Sequence, residues 1–381
     1  FDTKPARIER RGNRLAVFFD ASTVKFRYAV SYIGYLEAER SLADEITGWD
    51  PAPIAAAARK IWNEKLGKIE VEGGTDAQKT VFYSSLWRTY ERMVNCTEDG
   101  RYRGWDGNVH DDEGRGAYTD DWVWDTYRAF HPLITLLDTT MANDIVASFY
   151  SHYTQSPHHM LPVWSHNGSE NWCMIGYHGV SVVADALSKG INGGINSKQL
   201  MRAMDSSANC GYFGTTDLYK HYGFAPVDLN RTGTSTTLEN AYEDWCIYYT
   251  MLGDKNVDDC CHQGHAEDTE RKAQLDSWRK RAMNYRNVFD PETGFMRGRG
   301  ADGQWTPDFR PTAWGGPFIE GNAFHYNWSV FHDIQGLVDL YGSDERFCRH
   351  IDMVFDFPAI IDLGFYDDVY NEMVEMVAAG L

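Results

Sequence analysis

The chain has 381 residues, 43% of them hydrophobic and 24% charged, enough for one large repeating domain or two to three smaller ones. Lys and Arg number 36 against 55 Asp and Glu, a net charge of −19 that repels phosphate backbones and argues against nucleic acid as a partner. No run of 18 or more uncharged apolar residues occurs, which excludes a helical membrane span. Aromatic residues reach 14%. They fit either a large core or a carbohydrate cleft, in which sugar C–H faces stack on rings.

Residues 1–35 read as β. Arg14–Phe19 and the alternating run Val24–Tyr32 are short and rich in β-branched and aromatic residues. They look like the last strands of a β domain, and the chain, opening on Phe1 with no leader-like segment, is expected to be a mature product or an excised piece. From residue 36 the pattern turns helical. Residues 51–66 are rich in helix formers. Phe82, Leu86, Tyr90 and Met93 share a helical spacing, as do Ile145, Phe149 and Tyr153. Residues 174–188 are apolar nearly all round, so a helix there is buried on most sides. Thr236-Thr-Leu-Glu239 has the spacing of a capping box ahead of Tyr242, Trp245 and Tyr249. Further helices are expected over 268–287 and 328–341, the latter stopping at Gly342. The connections 99–120, 155–172, 211–235 and 295–320 are long, and long loops inside a compact domain are usually functional. Seven scattered cysteines, two adjacent at 260 and 261, match no metal spacing, and an odd number argues against a complete disulfide framework. Four sequons, at Asn95, Asn167, Asn230 and Asn327, say little about compartment.

Four clusters carry possible chemistry. In the first, Tyr118–Pro132, Asp125 and Arg128 lie three apart on one helical face, fitting a structural ion pair or a sugar subsite with Trp124 as its platform. In the second, Leu161–His178, His178 shares a face with Asp185 two turns on, either as a core pair or as part of a site. In the third, Trp314–Trp328, a lone carboxylate, Glu320, sits among apolar and aromatic neighbours. Such surroundings raise a carboxyl pKa and suit a general acid, although a capping or ion-paired glutamate would also fit. In the fourth, Val369–Met376, Glu372 and Glu375 read as part of an ordinary helix.

Trp124-Asp-Thr-Tyr-Arg-Ala-Phe-His-Pro-Leu133, Met174-Ile-Gly-Tyr-His178 with Val183-Ala-Asp-Ala186, Thr237–Trp245 and Phe318-Ile-Glu-Gly-Asn-Ala323 occur in that order and resemble glycoside hydrolase family 92, calcium-dependent inverting exo-α-mannosidases. The resemblance implies a mainly α fold, part of an (α/α)6 barrel preceded by the terminal strands of a β-sandwich. The divisions would be strands at 1–35, linker helices at 36–75 and barrel at 76–381. It implies that Glu320 is the general acid, that Trp124 and Asp125 line the mannose subsite, with Arg128, His178 and Asn322 as further substrate-binding candidates, and that Asn322 lies in a segment approaching Ca2+. Asn322 and His325 are the candidates for metal contact. The implied partners are mannose-containing glycans and the implied compartment is extracellular or periplasmic.

The chain departs from the family pattern in three places. Phe324-His325-Tyr326 stands where the family often has Trp-Gln-Tyr, and Glu170-Asn171 where it often has Glu-Thr. The Gly-Asp-Glu-Asp-like motif that carries the general base, and the Gly-Asn-x-Pro-x-His segment before it, do not occur in these 381 residues. An inverting glycosidase needs both an acid and a base. Two rivals therefore stay open: a sugar-binding fragment without catalysis, and another (α/α)6 glycosidase of the trehalase or glucoamylase kind. An incomplete helical ring is also expected.

Overall fold

A computed structural model describes residues 1–211, 214–253 and 265–355; the expected helix around Glu372 and Glu375 and the Cys260–Cys261 pair lie outside them. The chain divides into two compact units, one of residues 1–121 with 166–169, the other of residues 122–165 with 170–381.

In the first unit, Arg7–Arg11 and Arg14–Phe18 form an antiparallel hairpin. The alternating run Val24–Tyr32 forms no strand, contrary to expectation. Its outer positions Phe26, Tyr28 and Val30 are exposed, so its alternation buries no face. Three helices follow, Tyr35–Glu45, Ala52–Leu66 and Asp76–Thr89. The third starts in a reciprocal capping box between Thr75 and Gln78 and ends before Tyr90, so Tyr90 and Met93 fall outside the helix predicted for them. Two short antiparallel pairs, Val94–Asn95 with Tyr118–Thr119 and Arg101–Arg103 with Val109–Asp111, fill the long 99–120 connection. They enclose a small core of Cys96, Tyr102, Trp105 and Ala117.

Among the described residues the second unit is mainly helical: Phe130–Leu137, Thr139–Gln155, Gly179–Ser188, Ser197–Asn209, Gly214–Tyr222, Gly233–Gly253, His265–Ala282, Ile334–Tyr341 and Asp344–Phe355 are its longer helices. The Gly233–Gly253 helix packs against the Gly179–Ser188, Ser197–Asn209 and His265–Ala282 helices and is the unit's central element. Its first turn can pass close to the chain at Ala225 because residue 233 is glycine: a Cβ there would stand 2.1 Å from the Ala225 carbonyl oxygen. The predicted capping box at Thr236 is not a helix start. The helix begins three residues earlier, and the Thr236 hydroxyl bonds back to the Thr232 carbonyl. Glu239 is thereby released from capping and faces the interior. As expected, the Ile334–Tyr341 helix stops at Gly342.

Candidate active site

The second unit buries polar and charged groups to an unusual degree along one helix. Glu239, Glu243 and Asp244 of Gly233–Gly253 are all buried. Charge removed from water must be paired and hydrogen-bonded or it is costly, so their partners define the site.

His178 precedes the Gly179–Ser188 helix and is buried between two carboxylates. Its Nδ1 lies 2.5 Å from Glu243 Oε1 and its Nε2 lies 3.0 Å from Glu239 Oε2. Burial disfavours charge on the ring, but Glu243 and Glu239 outweigh it and raise the imidazole pKa to about 9. The ring is then an imidazolium donating from both nitrogens. Tyr127 lies flat against it, with centroids 4.0 Å apart and planes within 3°. The sequence prepares this placement. Gly176 has φ +77, and a Cβ on it would meet His178 Nε2 at 2.5 Å, so the Met-Ile-Gly-Tyr-His run requires its glycine. Glu243 also accepts from the Ser181 backbone N–H at 3.0 Å, satisfying an otherwise unpaired donor at that helix's N-terminus. The predicted pairing of His178 with Asp185 does not occur; Asp185 instead pairs with Lys189 at 2.6 Å.

Glu239 is the hub. Besides His178 it accepts from Trp124 Nε1, at 3.1 and 3.2 Å to its two oxygens, and its Oε1 stands 3.3 Å from the Tyr326 hydroxyl. One carboxylate therefore joins three of the sequence motifs, those of Trp124, His178 and Phe318–Tyr326. Arg128 is exposed and lies over the Trp124 and Tyr127 rings at 5.1 and 4.8 Å. It also lines a cavity of about 420 Å³ with His131, Asp185, Tyr242 and Phe331. Asp125 is exposed in the short helix Val123–Thr126.

Glu320 is exposed, so the enclosed apolar setting expected from its neighbours is not what surrounds it. Its backbone has φ +45, uncommon for a residue with a side chain. The preceding residue, Ile319, donates its N–H to the Ser235 hydroxyl at 3.1 Å, and its carbonyl accepts from the Tyr326 hydroxyl at 2.9 Å. The following residue, Gly321, gives its carbonyl to the Gly315 N–H at 2.8 Å.

The two metal candidates are already committed. Asn322 caps the Ala323–Tyr326 helix: its Oδ1 accepts from the Phe324 and His325 backbone N–H groups and its Nδ2 donates to the Thr312 carbonyl. The Asn322 N–H donates to His325 Nδ1, and burial lowers the His325 pKa. Calcium takes six to eight oxygen ligands. A spent amide oxygen and an imidazole do not fit that requirement, and among the described residues no group of three or more His, Cys, Asp and Glu has the geometry of a metal site.

Glu239 and Glu243 lie inside the Thr237–Trp245 motif and Tyr326 inside Trp314–Trp328, but none of the three was expected as a site residue. The signal was available for the glutamates: an i, i+4 pair of carboxylates in a stretch otherwise reading as a buried helix.

The unit is mainly helical and carries an exposed glutamate, Glu320, whose segment is tied to a buried hub of carboxylate, imidazole and indole. Comparison with known proteins gives the class. The model of the glycosyl hydrolase family 92 catalytic domain matches residues 37–375, and the chain belongs to that family. A family GH92 α-mannosidase from Bacteroides thetaiotaomicron, BT3965, is 33% identical with a TM-score of 0.74, over 85% of this chain and 41% of that one. The Family GH92 inverting mannosidase BT2199 from Bacteroides thetaiotaomicron VPI-5482 is 35% identical with a TM-score of 0.73, over 85% and 43%. An uncharacterized secreted glycosidase of Arthroderma benhamiae is 23% identical, over 87% of this chain and 42% of its own length. The chain thus spans less than half the length of these relatives, and its fold is that of the mainly α family 92 structures, whose catalytic domain is an (α/α)6 barrel.

Proposed function

We propose that this chain forms part of an exo-acting α-mannosidase that removes terminal α-linked mannose from glycans with inversion, Glu320 being the general acid. The observation that carries the reading is the convergence of the Trp124, His178 and Glu320 segments on Glu239, in a chain that belongs to family 92. Glu320 is exposed and so is open to the leaving glycosidic oxygen. Trp124, fixed through its indole N–H, and Arg128, resting on the indole ring, would border the mannose. His178 lies behind Glu239, so its part is to hold that carboxylate in place. The secreted description of the fungal relative supports an extracellular location.

Calcium assistance is what the family resemblance implies. Chelation and re-addition of Ca2+ test the dependence.

The mechanistic test is Glu320→Gln in the protein expressed from its natural reading frame. Turnover of mannosides with poor leaving groups should fall by about 10²–10⁴-fold, the range of general acid catalysis. Activated aryl mannosides should lose much less, because those oxygens depart with little protonation. Equal losses on both, or none, would remove Glu320 from the acid role.

A further inference from the structure

Glu320 pays a conformational cost that its neighbours impose. A non-glycine residue at φ +45 persists only where the surrounding structure over-determines it. Here the restraints are identifiable. Thr234 and Ser235 donate backbone N–H groups to the Pro317 carbonyl, the Ser235 hydroxyl accepts the Ile319 N–H, and the Gly315 N–H holds Gly321. The Ile319 carbonyl, one atom from the Glu320 nitrogen, is held by the Tyr326 hydroxyl at 2.9 Å. Tyr326 is itself buried, its ring stacked on Phe318 with centroids 5.6 Å apart. The same hydroxyl stands 3.3 Å from Glu239 Oε1. Its one hydrogen cannot serve both acceptors fully, and the shorter contact is to Ile319.

We propose that Tyr326, with Ser235, is a positioning residue for Glu320. Together they hold the 319–320 peptide in the turn that aims the carboxyl, and Tyr326 ties that turn to the buried Glu239–His178 pair. The inference rests on the reading of Glu320 as acid and adds to it the group that sets its aim. Misplacement of a reacting group by about 1 Å can cost 10²-fold in rate, so loss of the hydroxyl should act on kcat and leave KM nearly unchanged.

The experiment compares Glu320→Gln, Tyr326→Phe and Ser235→Ala in the protein from its natural reading frame, on an alkyl α-mannoside and an activated aryl α-mannoside. With Tyr326→Phe, kcat on the alkyl substrate should fall about 10–100-fold with little change in KM, and the aryl substrate should lose less, the pattern set by Glu320→Gln. Ser235→Ala should show the same selectivity, more weakly. A further pair of variants reads the strain without activity: Glu320→Gly should melt about 2–4 °C above Glu320→Ala, because only glycine adopts φ +45 without cost. If Glu320→Gln shows the selective loss but Tyr326→Phe and Ser235→Ala reduce both substrates equally, or neither, the positioning role is wrong and the acid stands. If Glu320→Gln itself lacks the selective loss, the acid reading falls first. A melting temperature of Glu320→Gly equal to or below that of Glu320→Ala would show that the turn stores no strain.

Discussion

One helix carries two buried ionic clusters that differ in what they leave open. On one side, Asp244 accepts from Tyr177 at 2.8 Å, Tyr219 at 2.8 Å and Arg281 at 2.7 and 3.0 Å. Arg281 lies over the Trp278 ring and donates to the Ala208 carbonyl. The contacts end on the Gly214–Tyr222, Ser197–Asn209 and His265–Ala282 helices and on Tyr177 just ahead of the Gly179–Ser188 helix, and the cluster pins these elements of one unit together. On the other side, Glu239 accepts from Trp124 and His178 and reaches Tyr326, and these lead to the exposed residues Arg128 and Glu320. The carboxylates are five residues apart with similar burial, yet one cluster closes on the core and the other ends at the surface. Burial and charge alone do not mark a site; the direction in which the partners run does.

The comparison breaks first at Arg281. Arg281→Met leaves Asp244 charged and unpaired in the core and should cost about 3–5 kcal/mol of stability, measured by denaturant unfolding, with turnover per folded molecule unchanged. Lost turnover in well-folded protein would show that the Asp244 cluster belongs to the site after all. Glu239→Gln should do the reverse. It keeps the shape, weakens the hold on Trp124 and His178, and should lower kcat/KM about 10²-fold, a loss comparable to removing one preorganised electrostatic partner.

The pH dependence of stability is a third test. The folded pKa of His178, about 9, is raised above its ordinary value of 6.5. Its contribution is therefore complete below about pH 6.5 and lost progressively as pH rises toward 9. The melting temperature should fall across that window, and the His178→Asn variant should be less stable overall and lack that slope. The smallest effect belongs to Asn322. As a helix cap rather than a ligand, Asn322→Ala should cost about 1 kcal/mol of stability, and any calcium affinity measured by titration should not change.

Much of this was legible in the sequence because local patterns carried it. Helix-forming composition marked the Ala52–Leu66 helix, helical periodicity marked Thr139–Gln155, and motif order marked the family. What escaped was decided at a distance. Val24–Tyr32 alternates like a strand but buries no face. Thr236-Thr-Leu-Glu239 matches a capping box, yet the close approach at Gly233 starts the helix one turn sooner and turns Glu239 inward. His178 and Asp185 have the spacing of partners, but Glu243, 65 residues away, takes the histidine. Glu320 reads as enclosed because its neighbours in sequence are apolar, and those neighbours turn away from it. Spacing within one helix states which residues can share a face; it does not state which face the fold buries.

The most direct measurement is the anomeric configuration of the first product. Proton NMR of an α-mannoside during hydrolysis by the protein from its natural reading frame should show β-mannose appearing first and the α anomer growing only as mutarotation proceeds. Inversion is the outcome of an acid and a base acting across the sugar in a single displacement. Initial release of α-mannose would require a covalent intermediate and would contradict the account, as would no release of mannose at all.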